Sequence, residues 1–208
     1  MRALCTAAFY SVMSLAALSI AAPEFFGLAS ARAQTGVILI PGAGGPGPYD
    51  FLMRNRSRFS SAGLETFVAT SAQEAVAVSQ TLRAQRRKSV IVGMSRGGIA
   101  TAAALAAGAP VSGAVFVSSN FRAVRGQLGS PRQLPPTLVV HHRQDGCGPT
   151  TPANVGGFAA WAGGKVRVAW FNNQGPEVPN PCGPRGAHGF YMNDAGPIGA
   201  IIRFARSR

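Results

Sequence analysis

The chain has 208 residues, 47% of them apolar and 13% charged, so it can bury the core of one domain and is not disordered. Three cysteines are too few for a disulfide-dense scaffold and match no zinc ribbon or finger, while 26 glycines and 15 prolines follow no collagen-like period. The charge balance is the unusual quantity: 20 Lys and Arg stand against 7 Asp and Glu, a net charge of +13.

Residues 1 to 33 read as an export signal rather than as part of the fold. Arg2 supplies a minimal positive start, Ala3 to Ala22 is an almost uncharged apolar run, and Ala31-Arg32-Ala33 has the small-x-small pattern of a signal-peptidase site. Cleavage before Gln34 is expected, leaving one domain over residues 34 to 208 that is periplasmic or secreted. The run is also long enough for a retained transmembrane anchor, which is the competing reading. Cys5 precedes the apolar run instead of ending it, which argues against a lipoprotein. Cleavage leaves 18 basic residues (20 less Arg2 and Arg32) and 6 acidic ones (7 less Glu24). It also leaves two cysteines, Cys147 and Cys182, and an even number in an oxidising compartment suggests one disulfide. Two buried free thiols are the alternative.

The remaining chain alternates short apolar runs with helix-like stretches. Gly36 to Ile40 is a buried-strand run ended by Pro41 and a glycine-rich loop. Asp50 to Ala62 follows with helical spacing of Phe51, Leu52, Phe59 and Ala62. Glu65 to Ala69 reads as a strand, and Ser71 to Arg86 as a helix with Ser71 as its N-cap and Glu74 three residues on. Ser89 to Gly93 is a strand, and Gly97 to Ala107 an Ala-rich helix ended by Gly108. Val111 to Val117 is the next strand, and Ser118 to Pro136 an irregular Gly/Pro/Arg stretch without an apolar helical period. Thr137 to His141 is a strand, Thr151 to Trp161 a short helix, Lys165 to Phe171 the last strand, Asn172 to Gly189 a long Pro/Gly loop and Ile198 to Arg206 a closing helix. Continuous apolar strands between helices predict an α/β fold, a mostly parallel sheet of about six strands with helices on both faces. Right-handed crossovers then gather the strand carboxyl ends on one edge, where ligands bind.

Gly93-Met94-Ser95-Arg96-Gly97 is the sharpest motif, a G-x-S-x-G between a strand and a helix. A nucleophile on a tight, strained turn needs small residues two positions to either side so that backbones can pass closely. The helix after Ser95 aims its first amides at the same spot, which favours a developing oxyanion. A serine needs a base, and His141, His142 and His188 are the candidates. His188 lies in an accessible small-residue loop, Gly186-Ala187-His188-Gly189, whereas His141 and His142 read as strand-end residues. Asp145 follows the strand ending at His141, on the same edge as Ser95, and is the expected orienting acid, with Asp194 as runner-up. Asp50, Glu65 and Glu74 sit on or beside early helices, where a solvated role is expected.

The order Ser95, Asp145, His188, with the serine on an elbow, the acid after a later strand and the histidine before the last helix, resembles the α/β-hydrolase superfamily over residues 35 to 206. The resemblance implies that Ser95 attacks, His188 moves its proton and Asp145 fixes the imidazole. It also implies an oxyanion hole from the amides of Arg96 and of Ala43, in Pro41-Gly42-Ala43-Gly44-Gly45; the superfamily often has His where this chain has Pro41. That loop lacks the Gly-Lys-Ser/Thr of a P-loop. The 19 residues from Ser118 to Pro136 are too short for the cap domain common in the superfamily, so the likeness is to minimal, lid-free members resembling cutinases and dienelactone hydrolases.

The expected activity is hydrolysis of small or polymeric carboxylic esters, ahead of thioesters and peptides, by a monomer without cofactor or metal. His141 and His142 are adjacent and have no carboxylate in ligand spacing. Arg54, Arg56 and Arg58 alternate, Arg86-Arg87-Lys88 cluster, and Arg122, Arg125 and Arg132 lie near the expected site. Such a surface suits an anionic envelope or polymer, and an inactive hydrolase-like protein binding an anionic ligand through it is the alternative function. No recognised motif or stacking aromatics accompany the arginines, so specific nucleic-acid binding is not expected.

Overall fold

The computed structural model describes residues 35–172 and 176–208; the expected signal segment, with Cys5, lies outside them. Six strands, β1 (Gly36–Ile40), β2 (Glu65–Val68), β3 (Ser89–Met94), β4 (Gly113–Val117), β5 (Thr137–His142) and β6 (Val166–Phe171), form one all-parallel sheet in the order β2-β1-β3-β4-β5-β6. The helices between them are α1 (Phe51–Arg54), α2 (Arg56–Ser61), α3 (Ala72–Ala84), α4 (Arg96–Ala106), α5 (Phe121–Leu128), α6 (Ala153–Trp161) and α7 (Ala195–Arg206).

The two-residue period of each strand divides the core into two layers. Ile38, Ile40, Ile91, Phe116 and Val139 pack with Leu82 of α3, Ala102 of α4, Phe121 and Val124 of α5 and Phe158 of α6. Their neighbours Val37, Leu39, Val90, Val92, Val115 and Val140 face the other way, against Phe51 and Leu52 of α1, Phe59 of α2 and Ile198, Ile201 and Phe204 of α7. The central strands are buried on both faces and therefore read as unbroken apolar runs.

Two segments differ from the sequence expectation. Asp50 to Ala62 is two short helices broken at Asn55, whose side-chain amide donates to the Phe51 carbonyl. Ser118 to Pro136, expected to be irregular, contains α5. Asn120 caps it by accepting from the Ala123 amide, and Phe121, Val124 and Leu128 make a buried stripe that two arginines and a glycine disguise in the sequence.

From β1 the chain moves to the sheet edge at β2, then returns across β1 to β3 and continues outward the other way. The carboxyl ends of β1 and β3 therefore diverge, opening the crevice that such a switch point creates. The glycine-rich loop after β1 and Ser95 after β3 both stand there.

Candidate active site

Ser95 is the hinge between β3 and α4. Its backbone has φ 52° and ψ −113°, a region costly for any residue with a Cβ, and its amide is fastened to the Val117 carbonyl of β4 at 2.8 Å. Sterics explain the flanking glycines. A Cβ on Gly93 would lie 2.3 Å from Thr101 Oγ1, and one on Gly97 would lie 2.2 Å from the Ile40 carbonyl oxygen. The turn can close against β1 only because both positions lack a side chain.

Asp145 and His188 come together from loops 43 residues apart in sequence. His188 Nδ1 stands 3.0 Å from Asp145 Oδ2 and 3.2 Å from Oδ1, with both side chains buried. The carboxylate is held from two further directions. Its Oδ1 accepts from the Cys147 amide at 3.0 Å and its Oδ2 from the Thr150 hydroxyl at 2.9 Å. Thr150 Oγ1 also lies 3.2 Å from His188 Nδ1, close enough to share the ring proton. A carboxylate at Nδ1 fixes that nitrogen as the protonated one and leaves Nε2 as the basic one. Thr150 carried no signal in the sequence; a buried hydroxyl in a short 3-10 turn after the acid is visible only in three dimensions.

Cys147 and Cys182 are bonded at 2.07 Å, across a sequence separation of 35. Cys147 follows Asp145 by two residues and Cys182 precedes His188 by six, so the bridge joins the acid loop to the histidine loop. Cys182 lies with Ser95, His188, Ala43, Tyr49 and Met94 along a cleft of about 270 Å³. Ser95 and His188 thus line one cleft, with Asp145 buried behind the histidine.

The loop after β1 forms the opposite wall. Asp50, expected at the surface, is buried: its Oδ2 accepts from the Gly42 amide at 2.9 Å and its Oδ1 from the Leu52 and Met53 amides. One carboxylate thus caps α1 and clamps the glycine loop to it. Burial raises its pKa against the lowering pull of those amides. With the Gly42 amide committed, the Ala43 amide has no partner among the described residues. The Arg96 amide, at the first position of α4, has no intrahelical acceptor.

The other candidates are employed elsewhere. Asp194 pairs with Arg54 at 2.6 Å, and Arg54 also donates to the Gly189 carbonyl, so this pair ties α1 to the histidine loop. Arg54 is therefore not part of a free basic surface. Glu65 pairs with Arg87 and Glu74 accepts from Thr70. His142 Nδ1 accepts from the Gln144 amide. His141 is fully buried between the Phe121 and Trp170 rings, with neither ring nitrogen hydrogen-bonded and Nε2 3.6 Å from Asp145 Oδ2. Burial is the dominant influence and lowers its pKa to about 4, although Asp145 and the Thr150 backbone pull the other way. Ligand atoms of Asp145, Cys147 and His188 lie within 4.8 Å of one another, but the disulfide occupies the Cys147 sulfur and only two donors remain.

No protein-family model matches the chain, and no curated protein matches it in sequence. Solved structures do match. An alpha-beta serine hydrolase homologue from Coxiella burnetii is 16% identical, with 82% of this chain and 84% of that one covered and a TM-score of 0.61. Dienelactone hydrolase from Anabaena variabilis is 17% identical, with 84% and 85% covered and a TM-score of 0.59. An esterase from Exiguobacterium antarcticum is 9% identical, with 84% and 93% covered and a TM-score of 0.58. At such identities the likeness is one of fold, and the chain has the α/β-hydrolase fold.

Proposed function

We propose that the chain is an exported serine hydrolase that cleaves carboxylic esters through an acyl-enzyme. The observation that carries this reading is the buried His188–Asp145 pair, whose histidine lines the same cleft as a serine on a strained elbow. Fold likeness to proteins described as esterases and hydrolases supports hydrolysis. The export signal read in residues 1 to 33 and the disulfide support an oxidising destination.

In this mechanism Ser95 Oγ attacks the ester carbonyl carbon as His188 Nε2 takes its proton. Asp145, accepting from Nδ1, stabilises the imidazolium without taking the proton itself. The carbonyl oxygen becomes an oxyanion, and the amides of Ala43 and Arg96 donate to it. Collapse of the intermediate breaks the bond to the alcohol oxygen, which receives the proton from Nε2. Water then attacks the acyl-serine by the same steps and releases the acid.

A fluorescent fluorophosphonate tests the reading. Labelling of the folded protein, lost in Ser95→Ala and after heat killing, is expected, followed by turnover on an ester panel. Folded protein that takes no label sinks it. The second reading, an inactive protein binding anionic surfaces, is favoured by one observation: among the described lysines and arginines only Arg54 and Arg87 pair with an Asp or Glu side chain. Salt-sensitive binding to acidic but not neutral vesicles by unlabelled protein would favour it.

A further inference from the structure

The loop Gly42–Gly45 is a ridge between two hollows. One is the cleft of Ser95 and His188. The other, about 580 Å³, lies between the loop, the end of β2, α4 and α5. Gly42, Ala43 and Gly45 line both. Ser95 lines only the first of them and Arg96, the next residue, only the second.

The walls of this second hollow are chemically lopsided. Ile40, Pro41, Ile99, Ala100 and Ala103 make it largely apolar, and Arg96 is the one charged residue that lines it. Arg96 is exposed, and among the described residues no hydrogen bond or ion pair engages its guanidinium. No carboxylate lines the hollow to neutralise it. Glu74 stands behind Thr70 of the rim and is already taken by the Thr70 amide and hydroxyl. A largely apolar hollow whose one charged lining residue is an unneutralised arginine, next in sequence to the proposed nucleophile, is complementary to a short aliphatic chain ending in an anion.

Resting on the serine-hydrolase reading, we propose that the Arg96 guanidinium is an anion-binding subsite and that the preferred substrate is an ester carrying a carboxylate on one limb. The net charge of +12 that remains after cleavage of the export segment (18 basic less 6 acidic residues) draws such a substrate toward the protein, and Arg96 decides which limb enters the hollow.

The test compares kcat/KM for the para-nitrophenyl monoester of glutaric acid with that for its neutral methyl diester. Wild type should prefer the anionic ester, and Arg96→Gln should lower the ratio of the two by roughly ten- to hundredfold, with Arg96→Lys recovering part of it. Arg132, expected from the sequence to lie near the site, stands instead in the turn before the amino end of β5, on the opposite sheet edge, so Arg132→Gln removes the same charge there and should leave the ratio unchanged. Equal effects of Arg96→Gln and Arg132→Gln would reduce the preference to a long-range field and overturn the subsite. A wild-type ratio of one or below would overturn it too. Calorimetric titration of free glutarate into Ser95→Ala separates this proposal from the catalytic one. Binding that Arg96→Gln abolishes in that background supports the subsite even where no ester is turned over. No binding at low salt, beside intact turnover of the neutral ester, refutes the subsite alone.

Discussion

Reducing the Cys147–Cys182 bridge should cost activity before it costs the fold. The bridge closes a loop of 35 residues, and loop-closure entropy assigns such a crosslink roughly 4 kcal/mol. That is below the roughly 5–15 kcal/mol typical of a domain, so the sheet should survive with its melting temperature lowered by roughly 8–16 °C. The local effect falls on the proposed catalytic pair. Cys147 supplies the amide that holds Asp145 Oδ1 at 3.0 Å, and Cys182 lines the cleft beside His188. A hydrogen bond to a charged group is worth about 1.5–3 kcal/mol, so losing the register of Asp145 should lower kcat by roughly ten- to hundredfold. Turnover of a short-chain para-nitrophenyl ester, followed beside circular dichroism across a thiol titration, resolves the two effects, and the Cys147→Ser/Cys182→Ser protein should reproduce the reduced state. Full turnover in the reduced, folded protein would refute the argument and make the bridge a stability device only. Activity and dichroism lost together at one thiol concentration would refute it as well.

Ser95→Gly should be more stable than Ser95→Ala by about 1–2 kcal/mol in urea denaturation, with both inactive, because only glycine relieves a backbone held at φ 52°. Thr150→Val removes the hydroxyl at 2.9 Å from Asp145 Oδ2 and should lower kcat roughly tenfold or more with little change in KM, as measured by steady-state kinetics. Asp50→Ala strips three amides of their acceptor and should cost about 1–3 kcal/mol together with most of the turnover, whereas Asp50→Asn keeps a carbonyl acceptor and should retain more of both in paired denaturation and rate assays. His141 gives a pH dependence of stability. The unfolded chain takes up its proton near 6.5 while the folded chain resists until about 4, so this contribution is whole above 6.5 and is lost as pH falls toward 4. On the order of 2–3 kcal/mol of the stability lost between pH 7 and 4.5 should vanish in His141→Leu, and an unchanged pH slope in that variant would remove His141 from the account.

What was readable in the sequence follows physical locality. Strands such as GVILI and SVIVG announce themselves because both of their faces are buried. The elbow announces itself by the fixed spacing of its glycines: a Cβ at Gly93 would strike Thr101 of the next helix and one at Gly97 the Ile40 carbonyl of β1, so only glycine fits at either. Asp145 and His188 could be placed by topology, since parallel strands deliver their following loops to one edge. Asp50 was misjudged because a carboxylate beside a turn and a helix start reads as a solvated cap; its second partner, the Gly42 amide, belongs to another loop. Arg54 was misjudged for the same reason, its acidic partner lying 140 residues away. Helix α5 was missed because its three buried residues are spaced through a sequence whose other members are mostly polar or glycine.

The two halves of the site are held by different physics. On the β3 side, Ser95 is positioned by short-range sterics and by backbone hydrogen bonds within the sheet, and the strain of its turn is borne by α4 and β4. On the β5–β6 side, His188 sits in a Pro/Gly stretch with no strand or long helix to hold it. Its position comes from ties made at a distance: the disulfide to the acid loop, Arg54 to the Gly189 carbonyl and Asp194, Arg185 stacked on Tyr49, and Phe190 buried against Phe51, His142 and Phe171. A stretch so rich in proline and glycine contributes few hydrogen bonds of its own, and each tie offsets entropy that regular structure would otherwise have removed. Two of these ties end on residues that line the cleft, Tyr49 and Phe51, and Arg54 stands on the same short helix as Phe51. The same contacts therefore build the cleft wall and fix the proposed proton shuttle.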